Sequence, residues 1–144
     1  MIRVTKEFRF EMAHALQGYD GPCRNIHGHS YRLLVTLKGI PLDDPGDPRT
    51  GMVMDFSELK RVVVREIITS FDHALVLRRD AAASLVGALE HHKLVLTDFQ
   101  PTCENLALHF VEKLRPLFPP EKRLDRLVLY ETETSSAEWQ AEDH

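Results

Sequence analysis

Cysteine, on which small secreted domains depend, is scarce in this sequence. Only two cysteines, Cys23 and Cys103, are present among 144 residues. Two cysteines cannot build the network of disulfides that stabilises small secreted domains. We therefore expect a reducing compartment, with the cytoplasm as the default location.

Long hydrophobic runs and an excess of positive charge are also missing. The longest apolar stretches, such as Val62 to Val64, are far too short to span a membrane. The chain starts directly with an alternating pattern and lacks the apolar region of a secretory signal peptide. The formal net charge is −4, and lysine and arginine do not cluster on any predicted face. We therefore expect neither a nucleic-acid partner nor a membrane partner.

What remains is the composition of an ordinary globular domain. Hydrophobic residues make up 43% of the chain and charged residues 28%, which are typical values. A length of 144 residues is sufficient for one domain with its own hydrophobic core. Because we find no internal repeat and no low-complexity segment, we predict a single domain over residues 1–144.

Alternation of apolar and polar side chains predicts two long strands, Ile2 to His14 and His27 to Lys38. The remaining pattern predicts a short strand at 52–56, a helix capped by Asp55 and ending near Ser70, a short helix within 81–92, a short strand at 93–96, a helix from the cap Thr102 to near Pro116, and a strand at 126–132. This order of elements is typical of an α+β fold, with two main helices on one face of an antiparallel sheet.

Three histidines flank the turn between the two long strands. His27 and His29 are two residues apart, so their rings project to the same face of a strand. His14 closes the apolar face of the first strand. If the two strands pair, the three imidazoles converge and leave a fourth coordination position open, as in catalytic zinc sites. The alternative for His14 is a hydrogen-bonded core residue, but the shared parity favours a metal.

Two further motifs carry groups that could move protons. Cys23 lies in a loop with glycine and proline, four residues before His27, where a thiolate could serve as a base near the metal. Its alternative is a small, half-buried hydrophobic residue. Asp72 and His73 are adjacent at a turn, where the carboxylate could orient the imidazole. Their alternative is a surface pair at the end of a helix.

Two carboxylates are candidates for binding a ligand. Glu131 shares a face of the last predicted strand with Leu127 and Leu129, so it either pairs with a cation in the core or receives a ligand that donates hydrogen bonds. Glu104 lies in the first turn of the second main helix, where the simpler interpretation is stabilisation of the helix dipole.

Taken in chain order, these segments resemble the 6-pyruvoyltetrahydropterin synthase / 6-carboxytetrahydropterin synthase family. The matching segments are His14, Cys23-Arg24-Asn25-Ile26-His27-Gly28-His29, Met54-Asp55-Phe56, Asp72-His73, Pro101-Thr102-Cys103-Glu104-Asn105 and Glu131-Thr132. The resemblance implies the tunnelling fold, in which antiparallel sheets backed by helices assemble into an oligomeric barrel. The implied homo-oligomer is a trimer, or a hexamer of two stacked trimers.

The resemblance also implies a reaction and a role for each site residue. The implied enzyme is a zinc-dependent lyase of the bacterial queuosine (deazapurine) pathway. It converts 7,8-dihydroneopterin triphosphate into 6-carboxy-5,6,7,8-tetrahydropterin, with release of acetaldehyde and triphosphate. The implied roles are zinc binding by His14, His27 and His29, proton abstraction by Cys23, tuning of that base by Asp72 and His73 of a neighbouring subunit, and pterin binding by Glu131, Thr102 and Glu104.

Two features depart from the family pattern. Val76 and Leu77 stand where the family's Asp-His motif is usually followed by Leu-Asn, and the stretch 78–92 is divergent. Two alternative functions therefore remain, namely a 6-pyruvoyltetrahydropterin synthase on the same substrate and a non-catalytic zinc- or pterin-binding module. The presence of Cys23, Asp72 and His73 argues against the module, because a protein that only binds metal needs none of them.

Overall fold

The alternating pattern at the start of the chain forms two long strands that pair with each other. In the computed structural model, which describes residues 1–83 and 85–144, β1 runs from Ile2 to His14 and β2 from His27 to Gly39. The two strands are antiparallel along their whole length, from Ile2 opposite Gly39 to His14 opposite His27. Both predicted strands are confirmed, and β2 is one residue longer than predicted.

Four further strands extend this pair on both sides: β3 (Ala74–Arg78), β4 (Leu94–Thr97), β5 (Lys122–Thr132) and β6 (Ser135–Gln140). The strand order is β4-β3-β1-β2-β5-β6. The prediction of an antiparallel sheet is confirmed for β1, β2, β5 and β6, but β3 pairs parallel with both β1 and β4. The sheet is therefore mixed. Helices lie in the connections that lead to β3 and to β4, as parallel pairing requires.

The first main helix begins where the sequence predicts. Asp55 is its N-cap, and its side chain accepts a hydrogen bond from the backbone N–H of Ser57 at 2.7 Å. Helix α1 (Phe56–Val63) continues through a π-helical turn (Val64–Ile68) into α2 (Thr69–Phe71).

The chain just before this helix differs from the prediction. Residues 52–56 form no strand. Instead, Met52 closes a turn by accepting a hydrogen bond from the backbone N–H of Leu42 at 2.9 Å. Val53 and Met54 of this segment are buried in a turn, and Phe56 is the first residue of α1.

The second main helix also has its predicted cap. Thr102 accepts a hydrogen bond from the N–H of Asn105 at 3.2 Å, and α5 runs over Cys103–Leu114. The divergent stretch 78–92 holds two short helices, α3 (Arg79–Ala82) and α4 (Val86–Leu89), in place of the one predicted. Ser84, within that predicted helix, lies outside the described residues.

The two main helices cover one face of the sheet and form the core with it. Fully buried members include Leu33 and Leu129 from strands, Leu59 and Ile67 from the first helix with its π-helical turn, and Phe110 from α5. No helix in the described ranges is long and apolar enough to cross a membrane.

The two residues that depart from the family pattern are both buried, Val76 in this core and Leu77 in a smaller apolar cluster with Ala15 and Ala82. Val76 and Leu77 are buried at 0% and 1% exposure as members of β3. Val76 lies opposite His14 in the parallel pair of β3 with β1. The departure therefore supports a strand alongside the candidate metal centre.

Candidate metal centre and its surroundings

Strand pairing brings the three predicted histidines together at one end of the sheet. His27 lies opposite His14, and His29 lies opposite Met12. The ring centroids are 4.6 Å apart for His14 and His27, 5.2 Å for His14 and His29, and 4.8 Å for His27 and His29. His14 is 1% exposed, so the cluster is rooted in the protein interior.

Two backbone carbonyls fix the orientation of two of the rings. The Nδ1 atom of His14 lies 2.7 Å from the carbonyl oxygen of Pro101, and that of His27 lies 2.7 Å from the carbonyl oxygen of Asn25. A carbonyl oxygen only accepts hydrogen bonds, so each Nδ1 carries the proton and donates. The Nε2 atoms of the neutral rings are therefore unprotonated, which is the state in which histidine binds a metal.

These two Nε2 atoms face each other at 3.1 Å. Two unprotonated nitrogens cannot share a hydrogen bond, and their lone pairs repel each other at this distance. The arrangement is favourable only when a cation, either a proton or a metal ion, lies between them. The geometry of His14 and His27 therefore suits a cation site.

The carboxylate of Glu131 lies against the same cluster. Its Oε1 atom is 2.9 Å from Nε2 of His29 and 3.4 Å from Nε2 of His14. The contact with His29 is close but lacks the alignment of a hydrogen bond, and this buried Nε2 has no hydrogen-bond partner among the described residues. One ligand atom from each of His14, His27, His29 and Glu131 lies within 4.8 Å of the other three.

The local electrostatics follow from this crowding. The neighbouring His14 side chain lowers the pKa of Glu131 below its ordinary value, and the other two imidazoles add to the effect. Burial lowers the pKa of His29, although the charge of Glu131 opposes the change. An ionised carboxylate beside neutral imidazoles is the donor set that Zn²⁺ and similar ions bind, so the residues fit a transition metal.

The strand that carries Glu131 is irregular at that residue. The pairing of β5 with β6 shifts register between Tyr130 and Thr132. Such irregularities re-aim a side chain and are frequent next to functional sites. Sequence reasoning placed Glu131 on the buried face of its strand but did not predict its contact with the histidines.

Asp72 and His73 form the contact expected from their adjacency. The Nδ1 atom of His73 lies 2.9 Å from Oδ1 of Asp72. The same carboxylate accepts a hydrogen bond from the backbone N–H of Glu11 at 3.0 Å, and this bond is the main reason why the pKa of Asp72 is lowered. The His73 side chain is 76% exposed, so the imidazole is free to meet a substrate or a neighbouring subunit.

The backbone around this pair is strained and braced. His73 has a φ of 61°, in the left-handed region that residues with a side chain rarely adopt. The Nζ atom of Lys93 donates hydrogen bonds to the carbonyl oxygens of Thr69 and Asp72, at 2.7 and 2.6 Å. Lys93 therefore holds the turn in place, a role that no sequence signal indicated.

A cavity of about 540 Å³ joins the two groups. Its lining includes His29 from the candidate metal centre and His73 from the exposed pair, together with Glu11, His92 and Lys93. His14, His27, Glu131 and Asp72 are not part of this lining, so the cavity touches each of the two groups at one residue.

The other predicted site residues, Cys23, Thr102 and Glu104, are not part of the cluster. Cys23 is half-buried in a 3-10 turn, and its carbonyl accepts a hydrogen bond from Leu16 N at 2.9 Å. Thr102 follows Pro101, the residue that holds the His14 ring, and its hydroxyl caps α5. Glu104 is exposed and lines a separate cavity between α5 and β6.

The second cysteine differs clearly from the first. Cys103 is buried, and burial raises the pKa of its thiol to about 11. Its Sγ donates to the carbonyl oxygen of Leu129 at 3.2 Å. A thiol in this state is a packing residue and a poor base at neutral pH.

Tyr31 is a residue next to the cluster that sequence reasoning did not single out. It is 1% exposed, its ring centroid is 5.6 Å from that of His29, and it stacks on Phe10 at 5.2 Å. Its hydroxyl is buried and has no hydrogen-bond partner in the part of the chain that the structure describes. Burial raises the pKa of this hydroxyl, so it remains a donor. The available signal was that Tyr31 has the parity of His27 and His29.

Comparison with known proteins identifies the family to which this fold and sequence belong. Residues 3–142 match the family described as 6-pyruvoyl tetrahydropterin synthase, and the chain belongs to that family. A relative from Haemophilus influenzae, named 6-carboxy-5,6,7,8-tetrahydropterin synthase, is 36% identical over 97% of this chain and 99% of its own.

Two other similarities show the range of the family. A relative from Pyrococcus furiosus, named dihydroneopterin monophosphate aldolase, is 30% identical over 90% of this chain and 89% of its own. The solved structure of Caenorhabditis elegans 6-pyruvoyl tetrahydropterin synthase superimposes with a TM-score of 0.68, covering 97% of this chain and 95% of that chain at 24% identity. The structural match supports the fold, a curled mixed sheet with two main helices.

Proposed function

We propose that this protein converts 7,8-dihydroneopterin triphosphate into 6-carboxy-5,6,7,8-tetrahydropterin, releasing acetaldehyde and triphosphate, in queuosine biosynthesis in the cytoplasm. The observation that carries the reaction is the 36% identity to the Haemophilus influenzae relative of that name, because it extends over nearly the full length of both chains. The convergence of three imidazoles and a carboxylate supports a metal-dependent form of this chemistry.

Zinc is the proposed metal, with His14, His27 and His29 as its ligands. Bound zinc would supply Lewis acidity toward the hydroxyl groups of the substrate side chain, which makes the neighbouring carbon-bound protons more acidic. The donor set supports this choice over magnesium or calcium, since zinc binds imidazole nitrogens readily and those two ions take oxygen ligands.

The remaining chemistry is proposed for the chain's own groups. Cys23 takes the proton from the substrate side chain, because a thiolate near a dication is a competent base at neutral pH. Asp72 orients His73 through their 2.9 Å contact, and the imidazole exchanges protons with the thiol. Glu131 accepts hydrogen bonds from the pterin's N–H donors, a pairing that charge strengthens. Thr102 and Glu104 help to hold the ring.

The proposed assembly is a homo-oligomeric barrel, a trimer or a hexamer. The six-stranded sheet is open, with β4 and β6 as its edges, and strand edges are surfaces on which further strands pair. In this assembly the exposed imidazole of His73 can act at the site of a neighbouring subunit. Light scattering at several protein concentrations will give the number of chains.

Product analysis tests the reaction. Zinc-loaded protein is incubated with 7,8-dihydroneopterin triphosphate, pterins are separated and identified by mass spectrometry, and acetaldehyde is measured with a coupled dehydrogenase assay. We expect acetaldehyde and 6-carboxy-5,6,7,8-tetrahydropterin in equal amounts. Formation of 6-pyruvoyltetrahydropterin without acetaldehyde supports the alternative synthase. Intact substrate, with metal bound and the fold verified, supports a non-catalytic module.

The Pyrococcus furiosus relative adds one control substrate. Its name implies action on dihydroneopterin monophosphate, so the same assay is run with that compound. Preferential consumption of the monophosphate would replace the proposed reaction with an aldolase reaction.

A further inference from the structure

Glu131 is placed in a way that pterin binding alone does not explain. A carboxylate whose only task is to accept N–H donors should present its oxygens to the ligand. Instead, Oε1 contacts Nε2 of His29 and of His14. In the described structure, this carboxylate occupies the side of the cluster that the sequence pattern predicted to be open.

Three of the distances in the cluster are close to those of atoms that share one metal ion. Two donors bound to one tetrahedral zinc lie roughly 3.3 Å apart, because each is about 2.0–2.1 Å from the metal. The measured separations are 3.1 Å for His14 to His27, 3.4 Å for His14 to Glu131 and 2.9 Å for His29 to Glu131.

We propose that Glu131 is the fourth ligand of the metal in the ligand-free protein, and that a bound pterin withdraws it. The first part is independent of the proposed function, and the second part depends on it. One carboxylate then serves two partners in turn. The metal gains an open coordination position only when the pterin ring is seated, so ring recognition prepares the metal for the side chain of the substrate.

Tyr31 provides the donor that the withdrawn carboxylate needs. The last pair in the ladder of β2 with β5 is Arg32 with Tyr130, and one further antiparallel step places Tyr31 opposite Glu131. The Tyr31 hydroxyl is buried and unpartnered among the described residues, a state that costs stability. A carboxylate that moves from the histidines toward β2 satisfies this hydroxyl, so the two positions of Glu131 each have a partner.

Cobalt substitution tests the first part without turnover. Co²⁺ is added to metal-free wild type, to Glu131→Gln and to the control Glu133→Gln, whose exposed carboxylate lies two residues further along the chain. We expect a changed visible spectrum and an affinity for Co²⁺ and Zn²⁺ at least tenfold weaker for Glu131→Gln, while Glu133→Gln behaves like wild type. Equal spectra and affinities for all three proteins, with folding verified by circular dichroism, overturn the proposal.

Unsubstituted pterin tests the second part, because it has no side chain with which to reach the metal. Its binding is followed by fluorescence and its effect by the spectrum of the cobalt protein. We expect the wild-type spectrum to move toward that of Glu131→Gln. Pterin that binds without changing the spectrum, or does not bind, overturns the exchange and leaves the fourth-ligand assignment intact.

Tyr31→Phe separates the two positions of the carboxylate. This variant keeps the ring that stacks on Phe10 and removes only the hydroxyl. We expect its ligand-free cobalt spectrum to equal that of wild type and its affinity for pterin to fall several-fold. An unchanged pterin affinity excludes Tyr31 as the second partner. Failure of the proposed reaction in product analysis, with the cobalt results as expected, would reject the function and retain the metal ligand.

Discussion

The histidine cluster and the Asp72–His73 pair, the two groups of candidate functional side chains, are built in opposite ways. The histidine cluster stands on β1 and β2, two strands of 13 residues paired along their length, and His14 is buried. The Asp72–His73 pair stands before β3, a strand of five residues at the divergent side of the sheet, and its imidazole is largely exposed. The sheet itself specifies the first group, whereas a few hydrogen bonds and a strained residue specify the second.

This difference determines how each group responds to amino-acid substitutions. A cluster fixed by strand register changes only if the register slips, and a slip would turn every side chain of a strand to the other face. The turn at His73 has no such protection, since Glu11 and Lys93 hold it through two hydrogen bonds each. We expect substitutions at the cluster to affect metal binding without unfolding, and substitutions at the turn to affect stability as well.

The largest expected effect comes from removing two ligands together. His27→Ala with His29→Ala should reduce the metal content from about one ion per chain to nearly none, because one imidazole and one carboxylate bind zinc weakly. Elemental analysis of the dialysed protein gives the content. The matched control is His91→Ala with His92→Ala, which removes two histidines outside the cluster. Unchanged zinc in the first double variant would refute the candidate metal centre.

Cys23→Ala is expected to change metal content and stability little but to reduce turnover strongly. The variant should keep its metal and its fold and lose at least about 100-fold in turnover, because a general base contributes roughly that much or more. The control is Cys103→Ala, which removes the other thiol from the core and should lower thermal stability while retaining most turnover. If Cys23→Ala loses its metal, Cys23 is a ligand and the proposed mechanism is wrong.

The strained turn provides a test of stability alone. His73→Gly and His73→Ala both remove the imidazole, but only glycine adopts a φ of 61° without strain. We expect the glycine variant to be more stable than the alanine variant by about 1 kcal/mol. Urea unfolding at one fixed protein concentration measures the difference. An alanine variant of equal or greater stability would show that the turn relaxes in solution.

The smallest effect is expected in the pH dependence of the same turn. The pKa of Asp72 is lowered in the folded protein, mainly by the N–H of Glu11, so folding favours the ionised carboxyl. Its contribution is present above the unfolded-state pKa of about 3.9 and is lost as the pH falls through the lower folded-state value.

The measurement compares metal-free wild type with metal-free Asp72→Asn. Their difference in unfolding free energy should shrink as the pH is lowered from about 6 to about 3. A constant difference would mean that folding does not lower the pKa of Asp72. The change is expected to be small, because solvent screens this exposed carboxylate.

The sequence predicts the histidine cluster well because strand periodicity carries the information. Alternation from Ile2 onward sets the face of His14, and the two-residue spacing sets the shared face of His27 and His29. Pairing of neighbouring strands is the simplest topology, and the structure has it. Glu131 was placed on the correct face, but its contact with the histidines depends on the pairing of β5 with β2, which no pattern in the sequence specifies.

The sequence analysis did not predict β3 and β6, and each was missed for a different physical reason. β3 is a short run of mostly apolar residues, and a strand buried in a parallel sheet shows no alternation. β6 is mainly polar, and only Ala137 and Trp139 indicate a face that packs. Both strands are recognisable only when their partners are known. The prediction of an antiparallel sheet was wrong for β3 and β4, because their direction also depends on which strands they pair with.

The two atoms that orient His14 and His27 have a consequence for how this site can vary. Both are backbone carbonyl oxygens, from Pro101 and Asn25, and every amino acid carries one. No substitution at either position deletes the acceptor, so a mutation can disturb these rings only by moving the main chain. The tautomers of His14 and His27 therefore do not depend on the identity of any neighbouring side chain. Sites that orient their histidines with carboxylate side chains can lose that support through a single substitution.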